Sequence, residues 1–374
     1  MSTETQQTPS ELKRLPLEQK HIDAGARMMP FAGWNMPLQY EGIVAEHEAV
    51  RQRAGMFDVS HMGRVWVRGS GAAHQIRAVS TYDTSRIPLG GTHYSLYCNE
   101  DGGIEDDVFI FHVGDDRWFV VHNAGNAEPD AARLAAATDG TAEDVGRETV
   151  MLAVQGPEAV AAVSRVLGPA IDQLKPRTCT EIEYNGETLL LSRTGYTGED
   201  GAEIVMTPAT GAALWDAFVD AGVTPAGLGC RDTLRLEAAL PLHGNDIWPE
   251  TTPYQARIGW AVTLEDGAAF TGRDALESES ATPPKRRLAH LKLLDRGVPR
   301  PGYSVRDHED TEIGTLTSGA FSPTLRTGIA MGYLPREYTD IGTRLAIEVR
   351  GQRIPAEVVR RPFYRRQQPD QESA

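Results

Sequence analysis

Three acids, Glu105, Asp106 and Asp107, sit in the stretch GGIEDDVFIF, directly before an aromatic and β-branched run. Carboxylates at the brink of a buried strand have two uses. They finish a hairpin turn, where Asp and Gly dominate, or they handle protons where burial raises their pKa. Strand alternation separates the last two acids. Asp107, Phe109 and Phe111 share one face, and Asp106, Val108 and Ile110 share the other. Both faces are apolar, so the strand is expected to be buried on both sides, with at least one carboxyl against apolar surroundings. That is the setting of an acid/base group or of an anchor for a nitrogenous ligand.

Three further segments carry comparable chemistry. SRTGYTGEDGAEI, residues 192–204, has glycines at 195, 198 and 201. A glycine-rich hairpin explains those glycines but not the aromatic Tyr196 within the loop, nor Glu203 at the head of an apolar strand. An aromatic face with a carboxylate suits a flat heterocycle bearing N–H groups. GLGCRDTLRLEAALPLHGND, residues 227–246, places Arg231 and Asp232 near the start of a helix after a Gly-rich turn. Asp232 suits a helix N-terminus, whereas an arginine there opposes the dipole and calls for another partner, such as a carboxylate. MFDVSHMG (56–63) and VVHNAGN (120–126) each follow an apolar run with small polar residues, as turns and sites both do.

Other routes to catalysis are not signalled. The chain lacks G-x-x-x-x-G-K-[ST], H-E-x-x-H and G-x-S-x-G, and no G-x-G-x-x-G opens a helix after a strand. The ten histidines are scattered, and Cys98, Cys179 and Cys230 lie far apart without a C-x-x-C. No metal and no disulfide framework are expected. An enzyme so equipped works by positioning reactants and stabilising charge. The net charge of −15 argues against a role coating nucleic acid. No apolar run approaches the ~18 residues of a membrane span, and the polar N-terminus is not a secretory leader. A cytoplasmic protein is expected.

The elements that must hold these residues are mixed. Helical spacing covers Ile43–Ala54, Ala212–Val219 and Leu228–Leu240, the last ended by Pro241. Pro157 and Gly168 bracket another helix. RVWVRG, HYSLYC, DVFIFHV, RWFVVH and MLAVQG read as strands, and TEIEY-NG-ETLLLS as a hairpin turning at Asn185–Gly186. At 374 residues, two or three domains are expected. A polar, Pro-rich break at 277–287 reads as a linker. Beyond it, residues 288–367 show only strand signals, as in a small β-barrel or jelly roll. Before it, residues 12–276 alternate strands and helices without regular βαβ spacing, which favours α+β with mainly antiparallel sheets in two interleaved subdomains. Residues 1–11 and 368–374 read as disordered tails.

Taken together, FAGWNMPLQY, GMFDVSHMG, YSLYCNEDGGIEDD, SRTGYTGEDGAEI, PAGLGCRDTLRLEAALPLHGND and TSGAFSPTL resemble, in order, the aminomethyltransferase (T-protein) family of the glycine cleavage system. The resemblance implies a three-domain, cloverleaf-like α+β protein with a central tetrahydrofolate site. It implies transfer of a one-carbon unit from the aminomethyl-dihydrolipoyl arm of the H-protein to tetrahydrofolate, giving ammonia and 5,10-methylene-tetrahydrofolate. By the same resemblance, Asp107 is the essential acid beside the folate nitrogens and Glu203 the carboxylate that binds the pterin. Tyr196, Asn123, Met62 and Tyr94 match other folate-pocket positions, and Arg231 and Asp232 an Arg-Asp pair at the site. A C-terminal arginine meets the folate tail; RRPFYRR offers Arg360, Arg361, Arg365 and Arg366, with Arg365 or Arg366 preferred. Two relatives of the fold remain as alternatives: a folate-dependent demethylase of a small methylated compound, and a non-enzymatic folate-binding protein. The latter typically carries K-G-C-Y-x-G-Q-E, which this chain lacks.

Overall fold

The computed structural model describes residues 12–137 and 141–366; the expected tails 1–11 and 368–374 lie outside them. The chain divides into two compact units. One comprises the described parts of Met1–Gly195, with Asp200–Cys230 and Ile247–Pro283. The other comprises Tyr196–Glu199, Arg231–Asp246 and the described part of Pro284–Ala374.

The first unit contains two large sheets, each with its own core. In the five-stranded sheet the order is Thr92–Cys98, Ile104–Gly114, Arg117–His122, Gly63–Arg68, Ala142–Asp144, antiparallel throughout. Helices Ala72–Val79 and Ala127–Ala137 cover the face where Val65, Val67, Val108, Ile110 and Val120 are buried, contributing Ile76 and Leu134 to that core. In the six-stranded sheet the order is Cys179–Tyr184, Glu187–Ser192, Gly201–Met206, Val150–Gln155, Gly55–Asp58, Thr224–Pro225, and only the last pair is parallel. Leu152, Val154, Leu189, Leu191 and Ile204 pack there against Val163 and Phe218 of helices Ala159–Leu167 and Pro208–Asp220. The Asn185–Gly186 hairpin forms as expected, with both residues at positive φ (51° and 82°) and Tyr184 paired with Glu187.

In the second unit a closed antiparallel barrel runs Arg286–Leu293, Thr327–Pro335, Glu312–Ser322, Ser304–Arg306, Arg344–Val349, Gln352–Val358 and back to the first strand. Its interior is aliphatic, with Leu291, Val305, Leu316, Leu334, Ile347 and Val358 buried. Closure leaves no free edge to template aggregation. The architecture is therefore mixed α and β with a C-terminal barrel, as the sequence led us to expect.

Boundaries differ in places, for local reasons. Helix Arg273–Ser280 occupies the first part of the Pro-rich stretch 277–287. The helix expected over Leu228–Leu240 ends at Glu237, before Pro241 acts. Ala239 turns left-handed (φ 55°), and Leu240 N–H closes the end by donating to Arg235 O at 3.0 Å. Residues 15–40 hold only the short helix Glu18–Asp23 and a hairpin of Arg27–Phe31 with Trp34–Gln39. Among the described residues no helix is long and apolar enough to cross a membrane.

Candidate active site

The turn before the acids is organised by Asn99. Its Oδ1 accepts from the backbone N–H of Asp101 (3.1 Å) and of Gly103 (2.8 Å), and Gly102 takes a φ of 78°. Gly103 is required by a close approach: a Cβ there would lie 1.8 Å from the backbone oxygen of Pro249. The turn account therefore holds for Asp101–Gly103. Gly103→Ala is expected to destabilise the protein by about 1–3 kcal/mol, read as a lowered midpoint in urea denaturation. An unchanged midpoint would remove the close approach as the reason for the glycine.

From Ile104 the alternation takes hold, and the Asp107 face is less uniformly buried than the Asp106 face, although Phe111 on it is buried as expected. Ile104, Asp106, Val108 and Ile110 are buried, while Glu105, Asp107 and Phe109 are half-buried. Helices Ala72–Val79 and Ala127–Ala137 cover the face of Val108 and Ile110, the face that Asp106 shares; apolar residue type alone does not say which face that is. Asp106 consequently faces inward. Its Oδ1 accepts from Asn123 Nδ2 (2.9 Å) and Asn126 Nδ2 (2.8 Å), and its Oδ2 from Asn123 N (3.1 Å).

Asp107 stands on the more open face. Asn123 Nδ2 donates to its Oδ1 at 2.7 Å. Burial of the carboxyl and the neighbouring charge of Asp106 push its pKa up to about 7, against hydrogen bonds from Tyr94 and Asn123 that pull it down. Near neutrality this group both holds and releases a proton. Tyr94 is on the adjacent strand, in register with Phe109. Its ring centroid lies 5.4 Å from that of Trp260, a 55 % exposed side chain. Met62 and Asn123 flank the paired strand ends Gly63 and His122, so the register delivers both to the same end of the sheet. Asp107, Asn123 and Tyr94 are thus brought together, with Met62 beside Asn123 at the same end of the sheet.

Glu203 belongs to the six-stranded sheet, between Ser192 and Ala153 on neighbouring strands. Thr194 Oγ1 donates to its Oε2 at 2.6 Å, and Ser192 and Thr194 hydroxyls are 2.7 Å apart. The half-buried carboxylate is thereby fixed in orientation.

The remaining expected residues lie in the second unit. The Arg231 guanidinium sits 4.8 Å over the Tyr196 ring, and the Tyr196 hydroxyl donates to Pro241 O. Asp232 is the fifth residue of its helix, past the turn where the dipole acts. Its partner is Arg235, whose Nε donates to Asp232 Oδ1 at 2.8 Å. Arg366 Nε donates to Glu199 Oε2 at 2.5 Å, while Arg365 is exposed. Sequence reading missed Trp260, Asn126, and the buried pair of Arg235 with Asp246 (2.7 Å). The signal for Asn126 was its place at the end of VVHNAGN, immediately before the helix Ala127–Ala137.

No thiol offers itself as a nucleophile: burial pushes Cys98 and Cys179 up to about 12. Among the described residues no group of three or more His, Cys, Asp or Glu is disposed to hold a metal ion. The arrangement can orient a ligand with N–H groups and move a proton at Asp107.

Comparison with known proteins gives a consistent result. Residues 17–266 match the family model for the GCVT N-terminal domain, and residues 286–365 that for the glycine cleavage T-protein C-terminal barrel domain. An aminomethyltransferase of Symbiobacterium thermophilum is 43% identical over 367 residues, covering 95% of this chain and 98% of the relative. One from Picosynechococcus is 41% identical over 362 residues, covering 95% and 98%. The crystal structure of the glycine cleavage system aminomethyltransferase T from Bartonella henselae matches with a TM-score of 0.89 at 38% identity, covering 94% of this chain and 98% of that one.

Proposed function

The chain belongs to the glycine cleavage T-protein family of aminomethyltransferases, and from that premise we propose that it moves a one-carbon unit from the aminomethyl-dihydrolipoyl arm of an H-protein to tetrahydrofolate. The carrying observation is identity of 41–43% with named aminomethyltransferases along 95% of the chain. The demethylase and non-enzymatic alternatives receive no comparable support.

The donor set suits a pterin. Asp107 offers a carboxyl that both accepts and gives a proton, with Tyr94 beside it and Asn123 fixing its orientation. Glu203 offers an oriented acceptor for ring N–H groups. Tetrahydrofolate supplies the nucleophilic nitrogens, so the protein needs no nucleophile of its own.

The overall change balances simply. The carbon loses its bonds to ammonia and to the dihydrolipoyl sulfur and gains two to folate nitrogens. The two N–H protons displaced end on ammonia and on the thiol. In this reading Asp107 relays one of them, and Asn123 holds its carboxyl in place through the transfer. Met62 and Tyr94 line the approach and keep water from the reacting carbon.

The test is direct. Purified protein with aminomethylated H-protein and tetrahydrofolate is expected to release ammonia and form 5,10-methylene-tetrahydrofolate in equal amounts. Formation instead of methyl-tetrahydrofolate from a free methylated small molecule, without ammonia, would reject the reading in favour of the demethylase.

A further inference from the structure

In chain order, the strands enter the five-stranded sheet between Asp58 and Gly63 and leave it between Asp144 and Val150. On either side of that insertion the strands belong to the six-stranded sheet. The entry and the exit therefore link the sheet that brings Asp107, Asn123 and Tyr94 to the sheet that carries Glu203.

One side chain grips both links. Arg64, the second residue of strand Gly63–Arg68, is 0 % exposed. At the entry its Nη1 donates to Ser60 O (3.0 Å) and to Met62 O (2.5 Å). At the exit its Nη2 donates to Gly146 O and to Thr149 O (3.0 Å), and its Nε to Thr149 Oγ1 (2.9 Å). Every N–H of the guanidinium thus has an acceptor. Matching turns present those oxygens. Asp58 Oδ1 accepts from Ser60 N, and Asp144 Oδ1 from Gly146 N, each at 2.8 Å. Ser60 Oγ accepts from Met151 N at 3.0 Å, which fastens the entry to the strand that follows the exit. Burial, against the attraction of Asp58 and Asp144, lowers the Arg64 pKa to about 10, so the cation persists at neutral pH. A buried cation is costly, and it is tolerated here because oxygens face every donor.

The two sheets also meet elsewhere. Cys179 N donates to Gly90 O (2.7 Å) and Thr92 N to Arg177 O (3.1 Å), and Arg117 Nη1 donates to Glu181 Oε1 (3.1 Å). Without Arg64 the sheets consequently stay attached. What is lost is the fixed placing of the entry, whose Met62 stands beside Asn123.

We propose that Arg64 is a positioning residue for tetrahydrofolate: by clasping the entry and the exit of the five-stranded sheet, it holds Met62 in place against the Asp107–Asn123 side of the pocket. Arg64 itself needs no contact with the substrate. The proposal rests on reading Met62 as part of the folate pocket.

Tetrahydrofolate affinity is measured by calorimetry under nitrogen, on folded protein well below each melting midpoint. Arg64→Lys keeps the charge but gathers its donors on one nitrogen, which cannot serve both links at once. It is expected to bind tetrahydrofolate about tenfold more weakly than the wild type, as is Met62→Ala. The double variant is expected to stay about tenfold weaker rather than ~100-fold, because both changes remove the same contact. A merely structural Arg64 would lower the melting midpoint and leave the affinity of the folded protein unmoved. Unmoved affinity in either single variant overturns the proposal, as do effects that multiply. If Arg64→Lys does not fold, Thr149→Val decides, since it deletes the acceptor of Nε and leaves the carbonyls in place. Binding about threefold weaker, the worth of one hydrogen bond, and absorbed in the Met62→Ala background, supports the proposal; unchanged affinity overturns it. A wild type that binds tetrahydrofolate but fails the transfer assay would reject the proposed function and leave Arg64 its role. Intact transfer with unmoved affinities would reject the role of Arg64 alone.

Discussion

Asp107→Asn is expected to lower turnover ~100-fold or more while folate affinity stays within roughly tenfold. The amide keeps the shape of the side chain and part of its hydrogen bonding, so ground-state binding is largely retained. What it lacks is a proton that comes and goes near neutrality. Wild-type turnover is accordingly expected to rise with pH through about 7, as the carboxyl becomes the proton acceptor the transfer uses. The variant should lose that limb. Stability runs the opposite way. The folded-state pKa is raised from 3.8 to about 7, so folding favours the protonated acid. The stability linked to Asp107 is fully present below about pH 3.8 and is lost as pH rises through about 7. The variant removes this dependence. Stopped-turnover ammonia release across pH, beside equilibrium folate binding, separates the effects. Near-wild-type turnover in Asp107→Asn would end the assignment.

The sequence exposed the site unevenly, and the reasons are local. Alternation is a property of a single strand, so Asp106 and Asp107 could be assigned to opposite faces from the sequence alone. Which face the helices cover depends on where Ala72–Val79 and Ala127–Ala137 are laid, which the strand's own apolar residues do not say. Asn123 was singled out within VVHNAGN, but its partner carboxylates lie sixteen and seventeen residues earlier in the chain, joined to it by strand register. The barrel was plain from its run of strand signals and glycine turns, such as Arg350–Gly351 at positive φ (52° and 78°) between Val349 and Gln352. The partners of Arg231 and Asp232 were not plain. Adjacent helical residues point about 100° apart. Arg231 consequently reaches the Tyr196 ring, while Asp232 reaches Arg235 one turn on.

Asp246→Ala is expected to destabilise the second unit by about 3–5 kcal/mol, the cost of stripping a buried charge of its partner. Arg235 and Asp246 are both buried, at 2 % and 0 % exposure. Burial works against the arginine's charge, and the attraction of Asp246 and Asp232 outweighs it, raising its pKa. Asp246 does more than neutralise. Its carboxylate also accepts from Leu242 N (3.1 Å), Ser318 Oγ (2.9 Å) and Thr317 Oγ1 (2.5 Å), and its backbone oxygen accepts from the Tyr333 hydroxyl (2.7 Å). The segment after the helix is thereby tied to two barrel strands. Asp232 is half exposed and compensates only in part once Asp246 is gone. The double variant Arg235→Met with Asp246→Leu is expected to recover some of the loss, since it leaves no unpaired charge. Urea denaturation followed by circular dichroism gives the total. Amide exchange in the strand Glu312–Ser322, which carries Thr317 and Ser318, localises it. A loss under about 1 kcal/mol, the worth of a surface pair, would show that this buried network is not what fastens the helix end to the barrel.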